Sequence, residues 1–83
     1  MRGKENEYRE RKQKEADERK RENKIKRLEE SILNIENEIA ELEQKSFTDE
    51  YATNYTKAME ISNEISSKKD ELNMLYSELE EYI

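Results

Sequence analysis

Six cationic side chains lie on one side of the first predicted helix, where they could hold a polyanion. They are Arg9, Lys12, Arg19, Lys20, Lys26 and Arg27, and we call them the basic stripe. At 1.5 Å of rise per residue, this stripe would be ~27 Å long. The outward-facing positions of the same segment carry no carboxylate. A line of positive groups suits contacts with a phosphate backbone and needs no recognition of bases.

The alternative interpretation of the stripe is a solvated helix surface without a ligand. Five acids share the segment but occupy other helix positions: Glu10, Glu15, Asp17, Glu18 and Glu22. These acids are close enough to weaken the field of the stripe at ordinary ionic strength. The residues by themselves leave both interpretations open.

The composition excludes most catalytic and metal-binding chemistry. The 83 residues include no His and no Cys, so the chain lacks the usual neutral-pH base and the thiolate nucleophile. Gly3 is the only glycine and there is no proline, which rules out a glycine-rich phosphate loop. The 22 Asp and Glu residues, without such partners, indicate a solvated surface. We expect no enzyme activity, no catalytic residue, no metal site and no cofactor in this chain.

The charge of the chain is unevenly distributed along its length. The net charge is -6, and 46% of the residues are charged. Residues 1–24 have ten Lys and Arg against seven acids, whereas residues 25–83 have six against fifteen. No apolar run approaches the length of a membrane span, so we expect no membrane partner.

Two series of mostly apolar residues at alternating spacings of three and four predict the helices that carry these charges. The first series is Ile25, Leu28, Ile32, Ile35, Ile39 and Leu42. The second series is Ala58, Ile61, Ile65, Lys68, Leu72, Leu75, Leu79 and Tyr82. Such spacing defines the a and d positions of a heptad, lettered a to g, and gives each helix one narrow apolar seam.

The segment between the two series predicts a chain reversal. It contains Ser46, Thr48, Asp49, Thr53 and Asn54, which are residue types that favour helix N-caps. The predicted fold is therefore all-α, a two-helix antiparallel coiled-coil hairpin with an N-terminal helical overhang. We expect one domain over residues 1–83, with helix 1 at about 5–45, a tip at 46–53 and helix 2 at about 54–82.

A hairpin of this kind predicts which residues face each other. If the residue numbers of facing positions sum to 100, each a position meets a d position. The six predicted layers are Leu42/Ala58, Ile39/Ile61, Ile35/Ile65, Ile32/Lys68, Leu28/Leu72 and Ile25/Leu75. Ile83 would then face Asp17, and the residues before Asp17 would have no second helix to pack against. Because the layers close within one chain, we expect a monomer.

The sequence also predicts contacts made by residues beside the seam and at the tip. Among the flanking charges we expect attraction for Lys24–Glu78 and Glu29–Lys69 and repulsion for Glu38–Glu64. We expect Lys68 to direct its ammonium group to solvent. Three tip aromatics, Phe47, Tyr51 and Tyr55, could either stack on a ligand or close the end of the core.

These residues resemble the C-terminal coiled-coil domain of ABC-F type ATP-binding cassette proteins. The first helix contributes the charged lead-in Arg9–Lys24 and the run Lys24-Ile25-x-x-Leu28-Glu29, continued by Ile32, Ile35-Glu36, Ile39 and Leu42-Glu43. The tip contributes Asp49-Glu50-Tyr51, and the second helix ends in Leu75-Tyr76-x-Glu78-Leu79-Glu80. The likeness covers the chain from about residue 7. It departs from the family at the tip, which lacks a proline, and in the second helix, which lacks a tryptophan.

The resemblance implies a non-catalytic tail that follows two ATPase cassettes in a cytoplasmic protein acting in translation. ATP would belong to that parent protein and not to this chain. The implied partners are ribosomal RNA, the ribosome or DNA, together with the parent cassettes, and the basic stripe would be the contact surface. The alternative function is a structural spacer or a protein-interaction coiled coil that binds no nucleic acid.

Overall fold

The computed structural model describes residues 2–83, and these residues form three helices and no β-strand. Helix α1 spans Arg2–Ser46, α2 spans Asp49–Ala52 and α3 spans Tyr55–Glu80. Helix α3 packs against α1, and α2 contacts both. The molecule is a rod measuring 78 × 15 × 14 Å. The predicted all-helical class is confirmed, and the tip contains a short helix that the sequence analysis did not predict.

Helix α1 is long because its sequence lacks helix breakers and its charges support one another. After Gly3 it contains neither glycine nor proline. Acids stand four residues before cations at Glu5–Arg9, Glu7–Arg11, Glu10–Lys14, Glu15–Arg19, Asp17–Arg21 and Glu22–Lys26. Each such pair contributes about 0.2–0.5 kcal/mol to an exposed helix.

Hydroxyl side chains mark the end of α1. The Ser46 hydroxyl donates to the Glu43 carbonyl at 2.5 Å, and the Thr48 hydroxyl donates to the Lys45 carbonyl at 2.7 Å. These bonds supply hydrogen-bond donors to carbonyls of the last helical turn, and the Lys45 carbonyl also accepts from the Thr48 amide at 3.1 Å. At the start of α3, the Asn54 side chain accepts a hydrogen bond from the Lys57 amide at 3.1 Å and caps the helix.

The core is a single line of apolar side chains between α1 and α3. Five of these side chains are buried: Leu28, Ile32, Ile35, Ile39 and Ile61. Most of the remaining seam residues are half-buried, because two helices cover only one side of each seam. Complete burial of one aliphatic side chain contributes about 1.5–3 kcal/mol. The stability of the fold therefore depends on few residues.

Polar contacts across the seam show how the two helices are aligned. The Lys24 ammonium lies 3.3 Å from a Glu78 carboxylate oxygen, at the end of the pair opposite the tip. Nearer the tip, the Tyr76 hydroxyl donates to Glu36 at 2.7 Å. Low-numbered residues of α1 thus contact high-numbered residues of α3, so the helices run in opposite directions.

The predicted register, in which facing residue numbers sum to 100, is wrong. In that register Tyr76 would face residue 24, and Glu36 would lie about twelve residues, or ~18 Å, farther along the helix. The observed contacts fit a register in which facing numbers sum to about 107, one heptad farther along. A shift of one heptad keeps each a position opposite a d position, so the heptad pattern does not distinguish the two registers.

The shift changes the partners of the apolar residues at both ends of α3. The observed register places Leu79 opposite Leu28, which is 5% exposed, and Tyr82 opposite Ile25. The predicted register would have placed Leu79 opposite Arg21 and Tyr82 opposite the acid at position 18. It would also have opposed Leu42 with the small Ala58, a position that Ile65 takes instead. The shift therefore gives Leu79 and Tyr82 apolar partners, while Ile61 and Ala58 move opposite positions 46 and 49 at the tip.

The flanking charges follow the observed register. The expected attraction between Lys24 and Glu78 is confirmed. The expected pair Glu29–Lys69 is wrong, because the Lys69 ammonium lies 3.6 Å from Glu43. The seam residue Lys68 ends 2.6 Å from a carboxylate oxygen of Glu38, and this hydrogen bond raises the pKa of Lys68. Lys68 therefore reaches an acid at the edge of the seam, where charge can be solvated.

At the tip, Tyr51 lies between two lysines that would otherwise repel each other. Its ring centroid is 5.1 Å from the Lys45 ammonium and 5.7 Å from the Lys57 ammonium. The polar interaction of Lys45 with the Tyr51 side chain raises the pKa of Lys45. Glu50 accepts a hydrogen bond from the Lys57 ammonium at 2.6 Å, which raises the pKa of Lys57 and lowers that of Glu50. The contacts hold α2 against the ends of both long helices.

The other two tip aromatics have a different environment. Tyr51 is half-buried, whereas Phe47 and Tyr55 are 82% and 80% exposed. Of the three side chains expected either to close the core or to bind a ligand, only Tyr51 has a packing role here. Phe47 and Tyr55 remain on the surface.

Cysteine pairs test the register, since the chain has no native cysteine. The double variant Ile35→Cys/Leu72→Cys places both thiols in one layer of the observed register, and it should form an intramolecular disulfide on mild oxidation. The variant Ile35→Cys/Ile65→Cys matches a layer of the register that sums to 100 and should remain reduced. Mass spectrometry of alkylated samples measures both, and faster oxidation of the second variant would contradict the observed register.

Truncation of one seam residue should destabilise the fold far more than truncation of a surface residue. Leu28→Ala removes a buried side chain and should cost about 2–5 kcal/mol of the free energy of unfolding. Leu33→Ala makes the same change at a side chain that is 59% exposed, and it should cost about 0.5 kcal/mol or less. Thermal unfolding followed by circular dichroism measures both, and equal losses would show that the seam is not the core.

Candidate nucleic-acid interface

The basic stripe lies on the side of α1 that faces away from α3. Its six residues occupy b, c or f positions of the heptad, opposite the a and d positions of the seam. All six side chains are exposed. Because α1 is one continuous helix from Arg2 to Ser46, the stripe is a straight row ~27 Å long.

The charged groups of the stripe are available to a ligand. Within residues 3–83, ion pairs shorter than 4 Å involve Lys24, Lys57, Lys68 and Lys69, and none involves a stripe residue. The Lys12 ammonium lies 5.5 Å from the centroid of the Tyr8 ring. A neighbouring acid, Asp17, accepts a hydrogen bond from Gln13 at 3.1 Å. The structure therefore brings the six predicted residues together on one open surface.

The part of α1 before its first polar contact with α3 forms an arm, residues 3–20. Residues 3–15 are all exposed. The apolar seam does not continue into the arm, since its a and d positions hold Lys4, Glu7, Arg11, Lys14 and Glu18. Two arms aligned in parallel would place like charges opposite each other at every one of these positions. The arm is therefore poorly suited to form a coiled coil with its own copy.

Arg21, a cation next to the stripe, has a structural role that the heptad pattern did not predict. Arg21 donates two hydrogen bonds to the Tyr82 carbonyl, from Nε at 2.9 Å and from an Nη at 2.6 Å. Carbonyls at the C-terminal end of a helix attract cations. Together with the Lys24–Glu78 pair, this contact fastens the end of α3 to α1. In the observed register Tyr82 lies level with Ile25, one turn from Arg21, so the guanidinium group can reach the Tyr82 carbonyl.

Neither a metal cluster nor a membrane span is found among the described residues. Residues 2–83 contain no cluster of three or more acids, histidines or cysteines that could hold a metal ion. None of the helices in that range has the length and apolar character needed to cross a membrane. The basic stripe is thus the surface of the described chain with the clearest capacity for binding an anion.

Loss of the Arg21 contact should release the last turn of α3 without affecting the rest of the molecule. Arg21→Gln should raise the amide exchange rates of Leu79, Tyr82 and their neighbours severalfold, because the Tyr82 carbonyl loses its donor. Hydrogen exchange measured by NMR reports these rates residue by residue. Arg19→Gln removes the same charge from the outer face and serves as the control. Equal protection in both variants would show that Arg21 does not fasten this end.

No protein-family model, curated protein or solved structure matches this chain. Its resemblance to the tails of ABC-F ATPases therefore depends on its own residues: the heptad seam, the charged first helix and the acidic tip. What the chain does has to be inferred from where the structure places those residues.

Proposed function

We propose that this chain is a non-catalytic accessory domain, an antiparallel coiled-coil hairpin that binds nucleic acid through the basic stripe. One observation supports the proposal above the others. Four lysines beside the seam or the tip are engaged in ion pairs within the chain, namely Lys24, Lys57, Lys68 and Lys69, whereas the six stripe residues are exposed and have none among residues 3–83. Cations kept on one straight face are suited to a polyanionic partner.

The spacing of the stripe fits a contact with phosphates and not with bases. Lys12, Arg19 and Lys26 recur every seven residues, which separates them by ~10.5 Å along the helix. Lys20 and Arg27 widen the row to one side. Lysine and arginine ends that follow a backbone neutralise phosphates and release counterions, and they give binding that depends on salt and little on sequence.

The hairpin supports the stripe mechanically. Helix α3 packs on the opposite side of α1 beneath Lys26 and Arg27, so this end of the stripe belongs to a two-helix body. The other end, from Arg9 to Lys20, lies on the arm. A helix that stays straight over the whole row keeps the cations in line, and binding of a polyanion would in turn stabilise the arm.

The resemblance to ABC-F tails extends the proposal to a biological setting. The chain would be the C-terminal domain of a cytoplasmic ATPase that acts in translation, and ATP would bind the cassettes of that parent protein. Ribosomal RNA or DNA would be the partner of the stripe, and the parent cassettes would be a second partner. This chain would position the parent protein on the nucleic acid and add to its affinity, and it would supply no catalytic group.

A second candidate function is a spacer or protein-interaction element that binds no nucleic acid. Its support is the pair of exposed aromatic side chains at the tip, Phe47 and Tyr55. The arm offers little to this function, since its seam positions are charged. The tip and the stripe are at opposite ends of α1, so the two functions can be tested separately.

Charge reversal within the stripe should weaken binding to nucleic acid. We expect Lys20→Glu/Arg27→Glu to lower the affinity for a structured RNA or a branched DNA at least tenfold at 50 mM salt, because two phosphate contacts become repulsive. The dependence of log K on log salt should also become shallower by about two units. Fluorescence anisotropy titrations between 50 and 200 mM salt measure both quantities.

The matched control is Arg11→Glu/Lys14→Glu, which makes the same change in net charge at arm positions off the stripe. This variant should retain the steeper salt dependence and lose less affinity. If both double variants lose affinity equally, net charge and not the stripe governs binding. If the unaltered chain binds neither RNA nor DNA at 50 mM salt, the nucleic-acid function is excluded.

A further inference from the structure

Exposed apolar side chains on the hairpin body concentrate on one side of it. The helical residues Leu33, Tyr55, Met59 and Tyr76 are 59%, 80%, 47% and 43% exposed and take e or b positions. Phe47, 82% exposed, directly follows α1 where the next b position would be. We call these five residues the tyrosine face. Within the same body, Met74 is an exposed large apolar residue at a c position, on the other side.

The cross-helix contacts place the e and b positions of both helices on a common surface. Glu36–Tyr76 and Glu43–Lys69 each join an e position of α1 to an e position of α3. Helix α2 does not cover this surface. Tyr51 anchors α2 beside Lys45 and Lys57, which occupy g positions on the opposite side.

Between Leu33 and Phe47 along α1, and between Tyr55 and Tyr76 along α3, this surface has apolar residues at its ends and a small residue at its centre. Along α3 the e and b positions run Tyr55, Met59, Ser62, Ser66, Lys69, Asn73 and Tyr76, with a tyrosine at each end. Along α1 they run Leu33, Glu36, Ala40, Glu43 and Phe47, with an apolar residue at each end. The small residues Ser66 and Ala40 mark the two centres. In the observed register Ala40 faces residue 67, so both centres lie at the same height on the rod.

We propose that the tyrosine face binds a second copy of this chain. The twofold axis would lie between the copies, at right angles to the rods, at the height of Ala40 and Ser66. Each long helix would then pack against its own copy in the opposite direction. The tip cluster of Phe47, Tyr55 and Met59 would meet Leu33 and Tyr76 of the other copy. This inference is independent of the proposed nucleic-acid function, and it replaces the monomer expected from the sequence.

The charges of the molecule favour this side for self-association. On the tyrosine face, Glu36 is bonded to the Tyr76 hydroxyl and Glu43 is paired with Lys69. Reversed packing sets Glu36 of one copy opposite Glu43 of the other, and Lys69, which is paired with Glu43, lies beside these two acids. The opposite side carries an excess of acids at g and c positions, namely Glu38, Glu41, Glu60, Glu64 and Glu71. For a chain with a net charge of -6, two copies meet with least repulsion on the tyrosine face.

The size of the face indicates a weak dimer. Tyr55 and Tyr76 are ~31 Å apart along α3 at 1.5 Å per residue. Across the rod, which is 15 Å wide, this gives on the order of 500 Å² per copy. Stable interfaces bury about 800 Å² per partner, so we expect a dissociation constant in the micromolar range or weaker. Added salt should strengthen the dimer by screening the acids, whereas it weakens binding to phosphates.

Two adjacent serines provide matched variants for the test. Ser66 lies at the proposed axis, whereas Ser67 lies at a c position on the other side, and both are exposed. Ser66→Arg brings two guanidinium groups together at the axis, and we expect the association constant to fall at least tenfold. Ser67→Arg adds the same charge and should leave association within a factor of about two. Sedimentation equilibrium from 20 µM to 1 mM chain at 300 mM salt measures the constants, and circular dichroism verifies that both variants fold.

Single cysteines give a second measurement, since the native chain has none. Ser66→Cys should form an intermolecular disulfide at the axis at least ten times faster than Ser67→Cys under mild oxidation at 1 mM chain. Three results would overturn the proposal. They are a mass that stays at 10.1 kDa across the concentration range, equal losses in the two arginine variants, and equal oxidation rates in the two cysteine variants.

Discussion

The alignment of α3 along α1 is the constraint on which the rest of the molecule depends. A single line of seam residues joins the helices, and five of these side chains are buried. A heptad repeat allows such a pair to slide in steps of seven residues without loss of the a-to-d pattern. In the observed step Leu79 lies opposite Leu28, and Arg21 bonds the Tyr82 carbonyl at the end of α3. The position of the end of α3 then determines where the arm begins.

The cations of the chain divide into two groups because of that alignment. Lys24, Lys68 and Lys69 reach acids on the other helix and strengthen the contact between α1 and α3. The stripe residues point away from α3 and have no such acid within reach in the described part of the chain. A cation near the seam is therefore a structural residue, and a cation on the outer face is free to meet a ligand. The net charge of the whole chain, -6, does not distinguish the cations paired across the seam from those on the outer face.

Sequence patterns predicted the helices and the stripe for simple physical reasons. Helix periodicity determines which residues share a face, so the six cations could be grouped without a structure. The register could not be predicted in the same way, because both alignments give complete a-to-d layers over the residues considered. Leu79 and Tyr82 gain apolar partners only in the observed alignment, whereas Ala58 and Ile61 gain them only in the predicted one, so the layers leave the choice open. The role of Arg21 depends on that alignment, and the role of Tyr51 depends on the path of the chain at the tip. Heptad spacing predicts neither of them.

The reversal at the tip is made without any residue of positive φ among residues 2–83. The chain turns in two bends on either side of α2, each closed by serine, threonine or asparagine side chains. Tight turns commonly need glycine or asparagine in a left-handed conformation, and a substitution there is costly. This tip imposes no such requirement. Its length and composition can drift during evolution while the two long helices keep their alignment, so related chains should differ most at the tip and least along the seam.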